Sequence, residues 1–347
     1  MPLPEHRPNA ELNTLSTFRL PAKAAELIVI DHTKQLKDLR IQRPLLMLGG
    51  GSNTVFMADW PGTVLVNRLK GKTVEPLSND FSRVRVAAGE DWHQLVRWCI
   101  DHRLHGLENL VLIPGSVGAA PIQNIGAYGT ELADVLESVT VWDWGSQSLR
   151  EISKEECDFD YRSSRFKTRD RDRFLITEVS LRLEHQFLPK TGYRSLSQEL
   201  ERVGAAIRPS ARQVAAAVMR VRRHKLPDPA RIANVGSFFK NPVLQASGAE
   251  RLLAEHPALP IWPMPGGRTK ISAGWLIEHC GWKGKSRGPV GVYPNHALVL
   301  VNHGKATAAQ LDSLIDAISL DVERVFGLRL EPEALLAGRD LRPRTAP

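Results

Sequence analysis

The sequence predicts an α+β protein of more than one domain, and three observations lead there. At 347 residues the chain is about twice the usual 100 to 200 residues of one domain. Its 42% hydrophobic and 24% charged residues are those of a chain that folds around real cores. Short apolar runs with period-two alternation are interspersed with segments of helical spacing.

The first 70 residues read as a small α/β unit: ELIVI near Leu27, a helical DHTKQLKDLR, LLML at Leu45 to Leu48, and TVLVN ending at Asn67. Before the last of these lies GGGSN, Gly49 to Asn53, where glycines permit positive φ and close approach of a ligand to the main chain. A tight turn explains that run equally well. From Arg83, RVRVAAG reads as a strand. DWHQLVRWCIDHRL follows as a helix with Trp92, Leu95, Val96, Cys99 and Ile100 on its core side.

Glu108 to Gly129, ENLVLIPGSVGAAPIQNIGAYG, is too small-sided to pack as an ordinary helix or strand and reads as a ligand-serving loop. Strands follow at Ser138 to Trp144 and Phe174 to Leu183, the latter with Leu175, Val179, Leu181 and Leu183 expected on one face. SARQ, Ser210 to Gln213, has capping-box spacing and opens a helix striped by Val214, Val218 and Val221, which KLPDP ends at Lys225 to Pro229.

The final third holds GSFFKNP at Gly236 to Pro242, a helix from Ser272, and a strand at His296 to Asn302. Another capping box, TAAQ at Thr307, starts a helix carrying Leu311, Leu314, Ile315, Ile318, Val322 and Val325, ended by Gly327. A last strand, LRLEPE, is expected to reach Glu333, with Glu331 and Glu333 on the same side.

Composition narrows the chemistry. The net charge of +8 suits anionic ligands, yet cations and anions interleave, as in RDRDR at Arg169 to Arg173, so nothing supports nucleic acid as a partner. Three widely spaced cysteines, Cys99, Cys157 and Cys280, indicate neither a disulfide framework nor a thiolate metal site, and no metal is expected. His279, Cys280 and Cys99 lie on apolar helix faces and read as core. No apolar run approaches the roughly 18 residues of a membrane span, and the first 20 residues lack a leader's apolar stretch, so a cytoplasmic chain is expected.

The dinucleotide fingerprint G-x-G-x-x-G, the P-loop, H-E-x-x-H and G-x-S-x-G are all missing. Two glycine-rich loops remain, rich in unencumbered main-chain N–H donors of the kind that nest a pyrophosphate, although structural turns would look the same.

Those loops also carry a resemblance. NTLSTFR at Asn13, LGGGSNTVF at Leu48, IPGSVGAAPIQNIGAYG at Ile113, DYRSSRFK at Asp160, RRHKLPDP at Arg222, GSFFKNP, SAGWLIEHCGWKG and LEPE together resemble the UDP-N-acetylenolpyruvoylglucosamine reductase family, in order and over nearly the whole chain. The resemblance implies a two-part FAD-binding fold of the vanillyl-alcohol-oxidase type, residues 1–68 (joined by a C-terminal strand at 329–347) and 69–225, plus a C-terminal α+β substrate domain at 226–328. It implies bound FAD, NADPH as co-substrate, and reduction of the enolpyruvyl ether of a UDP-sugar to UDP-N-acetylmuramate for peptidoglycan synthesis. Partners would be these small molecules, with no nucleic acid, no membrane and a monomeric chain.

Carried over residue by residue, the resemblance gives FAD contacts to Gly49, Gly50, Gly51, Ser52, Asn53, Gly115, Ser116, Gly118, Ala119, Asn124 and Gly126. Arg162 would clamp the substrate carboxylate, Ser237 would donate a proton, and Glu333 would act with the arginine. Tyr193 would pack on the uridine, and Lys225 and Asn241 would hold the diphosphate and the nicotinamide-bearing ligand. One departure is visible: LEPE runs into ALLAG, where the family usually has a valine, a basic residue and an isoleucine-glycine. Two other readings are an oxidase on the same fold and a nucleotide-sugar binder without turnover.

Overall fold

A computed structural model of the chain describes residues 3–341, so the end of the expected C-terminal strand, residues 342–347, lies outside the described residues. Two compact units form. The first takes residues 3–10, 24–50 and 60–223, the second residues 11–23, 51–59 and 224–341. The α+β class is borne out, with helices packed on mainly antiparallel sheets in both.

The first unit contains a four-stranded sheet in the order Glu5–Glu11, Lys23–Ile30, Trp60–Asn67, Leu45–Leu48. Its last three strands run parallel. The segment expected as a helix after Ile30 is only a 3-10 turn, Thr33–Asp38, capped by His32 and Gln35. Its apolar residues Leu36 and Leu39 stand three apart, which suits the three-residue period of a 3-10 turn.

A five-stranded antiparallel sheet follows in the order Ser148–Ser153, Leu136–Asp143, Phe174–Glu184, Phe81–Ala87, Lys72–Pro76. Val84, Val86, Val139, Val179, Leu181 and Leu183 pack against Trp92, Leu95, Val96 and Cys99 of the helix Trp92–Asp101. Leu175 does not join them. The register slips between Thr140 and Val141, and this bulge turns Leu175 into a separate cluster with Ile28, Leu65 and Trp142.

The second unit orders Ala233–Ser237, Val299–Asn302, Val290–Val292 and Ser286–Arg287 in one antiparallel sheet. Helix Ala308–Phe326 begins on the expected Thr307 and Gln310 box and ends on Gly327 at φ 65°. Its buried stripe runs Leu311, Leu314, Ile315, Ile318, Val322 and Phe326, and Val325 is exposed, because steps of four from Ile318 lead to Phe326 instead. The expected strand over LRLEPE is not formed. Pro332 has no N–H for a ladder, and the last strand is Leu335–Ala337, parallel to Thr54–Phe56. Among the described residues no helix is long and apolar enough to cross a membrane.

Candidate active site

In the first unit the two glycine loops meet. A Cβ on Gly49 would lie 2.2 Å from Ser116 Oγ, and one on Gly50 would lie 2.9 Å from the Cα of Gly115. One on Gly118 would lie 2.5 Å from the Cβ of Ala88. Main chain is therefore pressed against main chain, which only glycine permits. The second loop is pinned along its length: Trp92 N–H donates to the Gly115 carbonyl at 3.0 Å, Val117 N–H to Glu90 at 2.9 Å and Gly118 N–H to Ala88 at 2.8 Å. Residues Val117–Gln123, including half-buried Ala119, then form a 3-10 turn.

Asn124 closes that turn at φ 45°, buried, its Nδ2 donating to Glu131 and its Oδ1 accepting from Ala133 N–H. Its side chain thus braces the loop from inside. Leu112, just upstream, holds φ 62°, and its N–H donates to His93 Nδ1 at 3.1 Å. Burial, with Arg97, Arg222 and Arg223 nearby, keeps the pKa of His93 below its ordinary value, so the ring remains a neutral acceptor.

Arg162 is mounted on the same loop. Its segment folds back on itself through paired hydrogen bonds between Asp160 and Ser163. Ser164 Oγ donates to the Ile122 carbonyl at 2.6 Å, Lys167 Nζ to Gln123 at 3.1 Å, and Arg162 Nη2 to the Gly126 carbonyl at 3.0 Å. A Cβ on Gly126 would stand 2.9 Å from Glu131 Cγ and 3.2 Å from the Thr130 carbonyl oxygen, so glycine is what lets this strand lie against its hairpin partner, with the Arg162 guanidinium at ordinary contact distance beyond.

Two further residues join this group that sequence reasoning passed over. Arg222, on helix Ala211–Lys225, has its Nε shut off from solvent with no hydrogen-bond partner among the described residues. Burial lowers its pKa, the Tyr128 phenol opposes that, and the Arg162 charge adds to it. Burial likewise pushes the Tyr128 phenol up. The Tyr128 ring stands edge-on to Tyr193, centroids 5.2 Å apart. A signal for Arg222 existed: it continues the buried row Ala211, Ala215, Val218 at helical steps of four, three and four, where a charge has no reason to sit unless it serves something.

In the second unit Gly51, at φ 62°, passes so close to the main chain that a Cβ would lie 1.8 Å from the Leu15 carbonyl oxygen. Gly51 accepts from Thr17 N–H at 3.1 Å. Ser52 and Asn53 are half-buried, and Asn53 Nδ2 donates to the Glu333 carbonyl at 3.3 Å.

Ser237 ends the strand Ala233–Ser237, just past a bulge at Gly236, φ 71°, and buried Phe238 and Phe239 anchor the chain after it. The LEPE segment runs alongside: Lys240 N–H donates to the Glu331 carbonyl at 2.9 Å and Glu333 N–H to the Phe238 carbonyl at 2.7 Å. Glu331 and Glu333, expected on one side of a strand, are thus in different settings. The Glu331 side chain is 73% exposed and pairs with Lys240 at 3.1 Å, whereas Glu333 is half-buried.

Asn241 Oδ1 accepts from Ala273 N–H at 3.0 Å at the start of helix Ala273–His279. Lys225 is exposed, and its charge reaches half-buried His296. Burial, with Lys225 and Lys283, lowers His296 to about 4. Of the residues expected in the core, Cys99 is buried, Cys280 is half-buried and His279 is exposed, its ring stacked on Trp275; Cys157 is also a buried thiol, pushed up to about 12 by burial.

Comparison with known proteins matches these features. A family model described as FAD binding domain covers residues 32–151, and one described as UDP-N-acetylenolpyruvoylglucosamine reductase, C-terminal domain, covers residues 228–337. The reductase of that name from Azoarcus sp. (strain BH72) is 45% identical over 334 residues, 94% of this chain and 96% of that protein. The chain belongs to the UDP-N-acetylenolpyruvoylglucosamine reductase family. Another family member, from Dechloromonas aromatica (strain RCB), is 44% identical over 94% of this chain and 98% of its own. The crystal structure of the reductase from Thermus caldophilus superposes with a TM-score of 0.65 at 26% identity, covering 96% of this chain and 98% of that one. Both glycine loops of the first unit fall within the residues that the FAD binding domain covers, and their glycines are what allow the two loops to lie against each other.

Proposed function

We propose that this chain is an FAD-containing oxidoreductase that uses NADPH to reduce the enolpyruvyl ether of UDP-N-acetylglucosamine to the lactyl ether of UDP-N-acetylmuramate, a step in peptidoglycan precursor synthesis. The observation that carries the reading is the contact of Gly49 and Gly50 with Gly115 and Ser116, which turns two loops distant in sequence into one main-chain cradle. In this reading Gly49, Gly50, Gly51, Ser52, Asn53, Gly115, Ser116, Gly118, Ala119 and Gly126 contact the cofactor, and Asn124 supports the loop that does so. The two-part FAD-binding fold, residues 1–68 and 69–225, with a substrate domain at 226–328, is part of the same proposal.

When bound, FAD supplies hydride transfer from NADPH to the terminal alkene carbon of the substrate. Negative charge then spreads into the substrate carboxylate, and Arg162 holds its two oxygens with a planar fork that lysine lacks. Arg222 adds a second cation, which supports an anionic guest beside Tyr128. The Ser237 hydroxyl gives its proton to the carbon next to the carboxylate. An alcohol is a weak acid, but a carbon-centred enolate is a strong base, so the transfer runs downhill. Glu333 acts with Arg162, either sharing a hydrogen bond with the developing enolate through a protonated carboxyl or orienting the clamp, while Tyr193 packs on the uridine and Lys225 and Asn241 hold the diphosphate and the nicotinamide-bearing ligand.

The chain works as a monomer in the cytoplasm, with small molecules and no nucleic acid as partners. Absorption spectra of the purified protein before and after NADPH, followed by mixing with the enolpyruvyl nucleotide or with oxygen, test the activity. Flavin bleaching with NADPH and recovery driven by the nucleotide are expected. Colourless protein that takes up no flavin on reconstitution, or recovery with oxygen alone, would overturn it.

A further inference from the structure

We infer that Asn109 is a positioning residue, whose side-chain amide ties the segment carrying Tyr193 to the main chain of Tyr128. The inference rests on the nucleotide role proposed above for Tyr193. Asn109 is buried in the 3-10 turn Glu108–Leu110. Its Nδ2 donates to the carbonyls of Tyr128 and of Lys190, both at 2.8 Å. Two carbonyl acceptors on one side fix which end of the amide faces them, because the amide oxygen turned that way would meet only lone pairs.

The mount is firm and the tyrosine segment is not. Trp92 Nε1 donates to the Leu110 carbonyl at 3.0 Å, the Glu108 carboxylate accepts from Gly106 N–H at 2.8 Å, and His105 Nδ1 lies 2.7 Å from the same carboxylate. Residues 185–193, by contrast, form neither helix nor strand, and Leu188 and Tyr193 are 62% and 43% exposed. Phe187 is half-buried against the core with its ring 5.3 Å from that of His105, but Leu188, Pro189 and Lys190 are exposed beside a cavity of about 680 Å³, so apolar burial does little to seat the stretch after Phe187. The Lys190 ion pair with Asp134, 2.8 Å long, is exposed on both sides and adds little.

Tyr128 is placed by a tight turn: at φ 51° beside Gly129 at φ 79°, it tips the two-residue hairpin that joins Gly126–Ala127 to Thr130–Glu131. Asn109 fixes its carbonyl, while Tyr193 packs on its ring at 5.2 Å. One segment is therefore attached to one residue twice, through the main chain by way of Asn109 and through the ring by way of Tyr193. Two residues upstream, the Gly126 carbonyl accepts from Arg162, so the seating of the tyrosine segment bears on the loop that positions this guanidinium.

The test compares Asn109→Ala and the near-isosteric Asn109→Asp with the parent protein, all loaded with FAD. Tryptic cleavage after Lys190, whose carbonyl Asn109 holds, is expected to quicken about tenfold or more in both variants while cleavage after Arg182, within the strand Phe174–Glu184, does not. The KM for the enolpyruvyl nucleotide is expected to rise about tenfold with kcat changed by less than about threefold. In a Tyr193→Ala background the same Asn109→Ala change should add nothing to KM, because the link it breaks no longer ends on a tyrosine. Tyr193 is exposed, so Tyr193→Ala should accumulate folded and should by itself loosen residues 187–192.

Unchanged cleavage after Lys190 overturns the inference, as does cleavage that quickens equally after Arg182, or KM effects that multiply in the double variant. If Tyr193→Ala leaves KM unaltered, the nucleotide role of Tyr193 is wrong, and the cleavage pattern alone decides the role of Asn109.

Discussion

The main-chain N–H of Glu333 donates to the carbonyl of Phe238 at 2.7 Å, so the residue that carries the candidate carboxylate is tied through its main chain to the residue that follows the candidate proton donor, Ser237. The link is rigid on one side because Phe238 is fully buried. Ser237→Ala removes one hydroxyl and disturbs neither anchor. It should leave bleaching of the flavin by NADPH nearly intact and slow recovery with the enolpyruvyl nucleotide by about 100 to 10,000-fold. Stopped-flow absorbance reads both half-reactions, and recovery at the parental rate would remove Ser237 from the chemistry.

The same strap of chain separates its two carboxylates. Glu331 faces solvent at 73% exposure and pairs with Lys240, an arrangement worth little in free energy. Glu331→Gln should therefore stay within about threefold of parental kcat, while Glu333→Gln falls by at least about 100-fold. Steady-state rates for the two variants give the order directly, and the reverse order would transfer the role by two residues.

Gly50 allows a sharper structural test, because a methyl group there would stand 2.9 Å from the Gly115 Cα, which is main chain and has little room to yield. Overpacking of this kind costs about 1 to 3 kcal/mol. Gly50→Ala should come off purification with less bound flavin and a lower melting temperature. Gly71→Ala is a poor control despite open space around it, since its φ is 135° and any side chain there is strained. Gly192→Ala, with open space and no positive φ, should keep its flavin. Equal flavin content in Gly50→Ala and Gly192→Ala would mean the two loops are not the cradle.

Much of this was legible beforehand. Thr307, Gln310 and Gly327 cap the helix they were expected to cap, and Ser210 and Gln213 bond across the start of theirs, because those signals are local hydrogen bonds written into three or four residues. Strands Glu5–Glu11, Lys72–Pro76 and Ser148–Ser153 escaped notice because they lie at sheet edges and carry mostly exposed residues with little apolar alternation. The bulge that turns Leu175 away depends on pairing with Leu136–Asp143, and a period of two within one strand holds no record of its partner. The site divided the same way. Glycine loops announced themselves, whereas Arg222 and Asn109 matter through contacts with residues far off in the chain.

Acid should destabilise the second unit through His296. Its folded pKa of about 4 lies below the ordinary 6.5, so the unfolded chain binds more protons between those values. The contribution is complete above pH 6.5 and is lost as pH falls through that window. From pH 7 to pH 5 it amounts to about 2 kcal/mol. The buried neutral ring of His93 shifts in the same direction, whereas Glu199, held at about 2 by Arg202 and Arg220, titrates lower and does not interfere. Urea unfolding of the parent and of His296→Gln at both pH values isolates the residue. The variant should lose about 2 kcal/mol less than the parent, and equal losses would mean that His296 is not responsible.

Arg222 separates binding from folding. A guanidinium whose Nε is closed off from solvent, and which feels the like charge of Arg162, weakens the folded state by itself. Arg222→Met keeps most of the volume and removes the charge, so the melting temperature should hold or rise. If the cation is there for an anionic guest, the same substitution should forfeit a charge-assisted interaction of about 1.5 to 3 kcal/mol and raise the KM for the enolpyruvyl nucleotide about 10 to 100-fold. Opposite signs in stability and affinity are the mark of a residue placed for its ligand. A methionine variant that melts early and binds normally would make Arg222 a structural arginine, and the charge on that helix face would need another explanation.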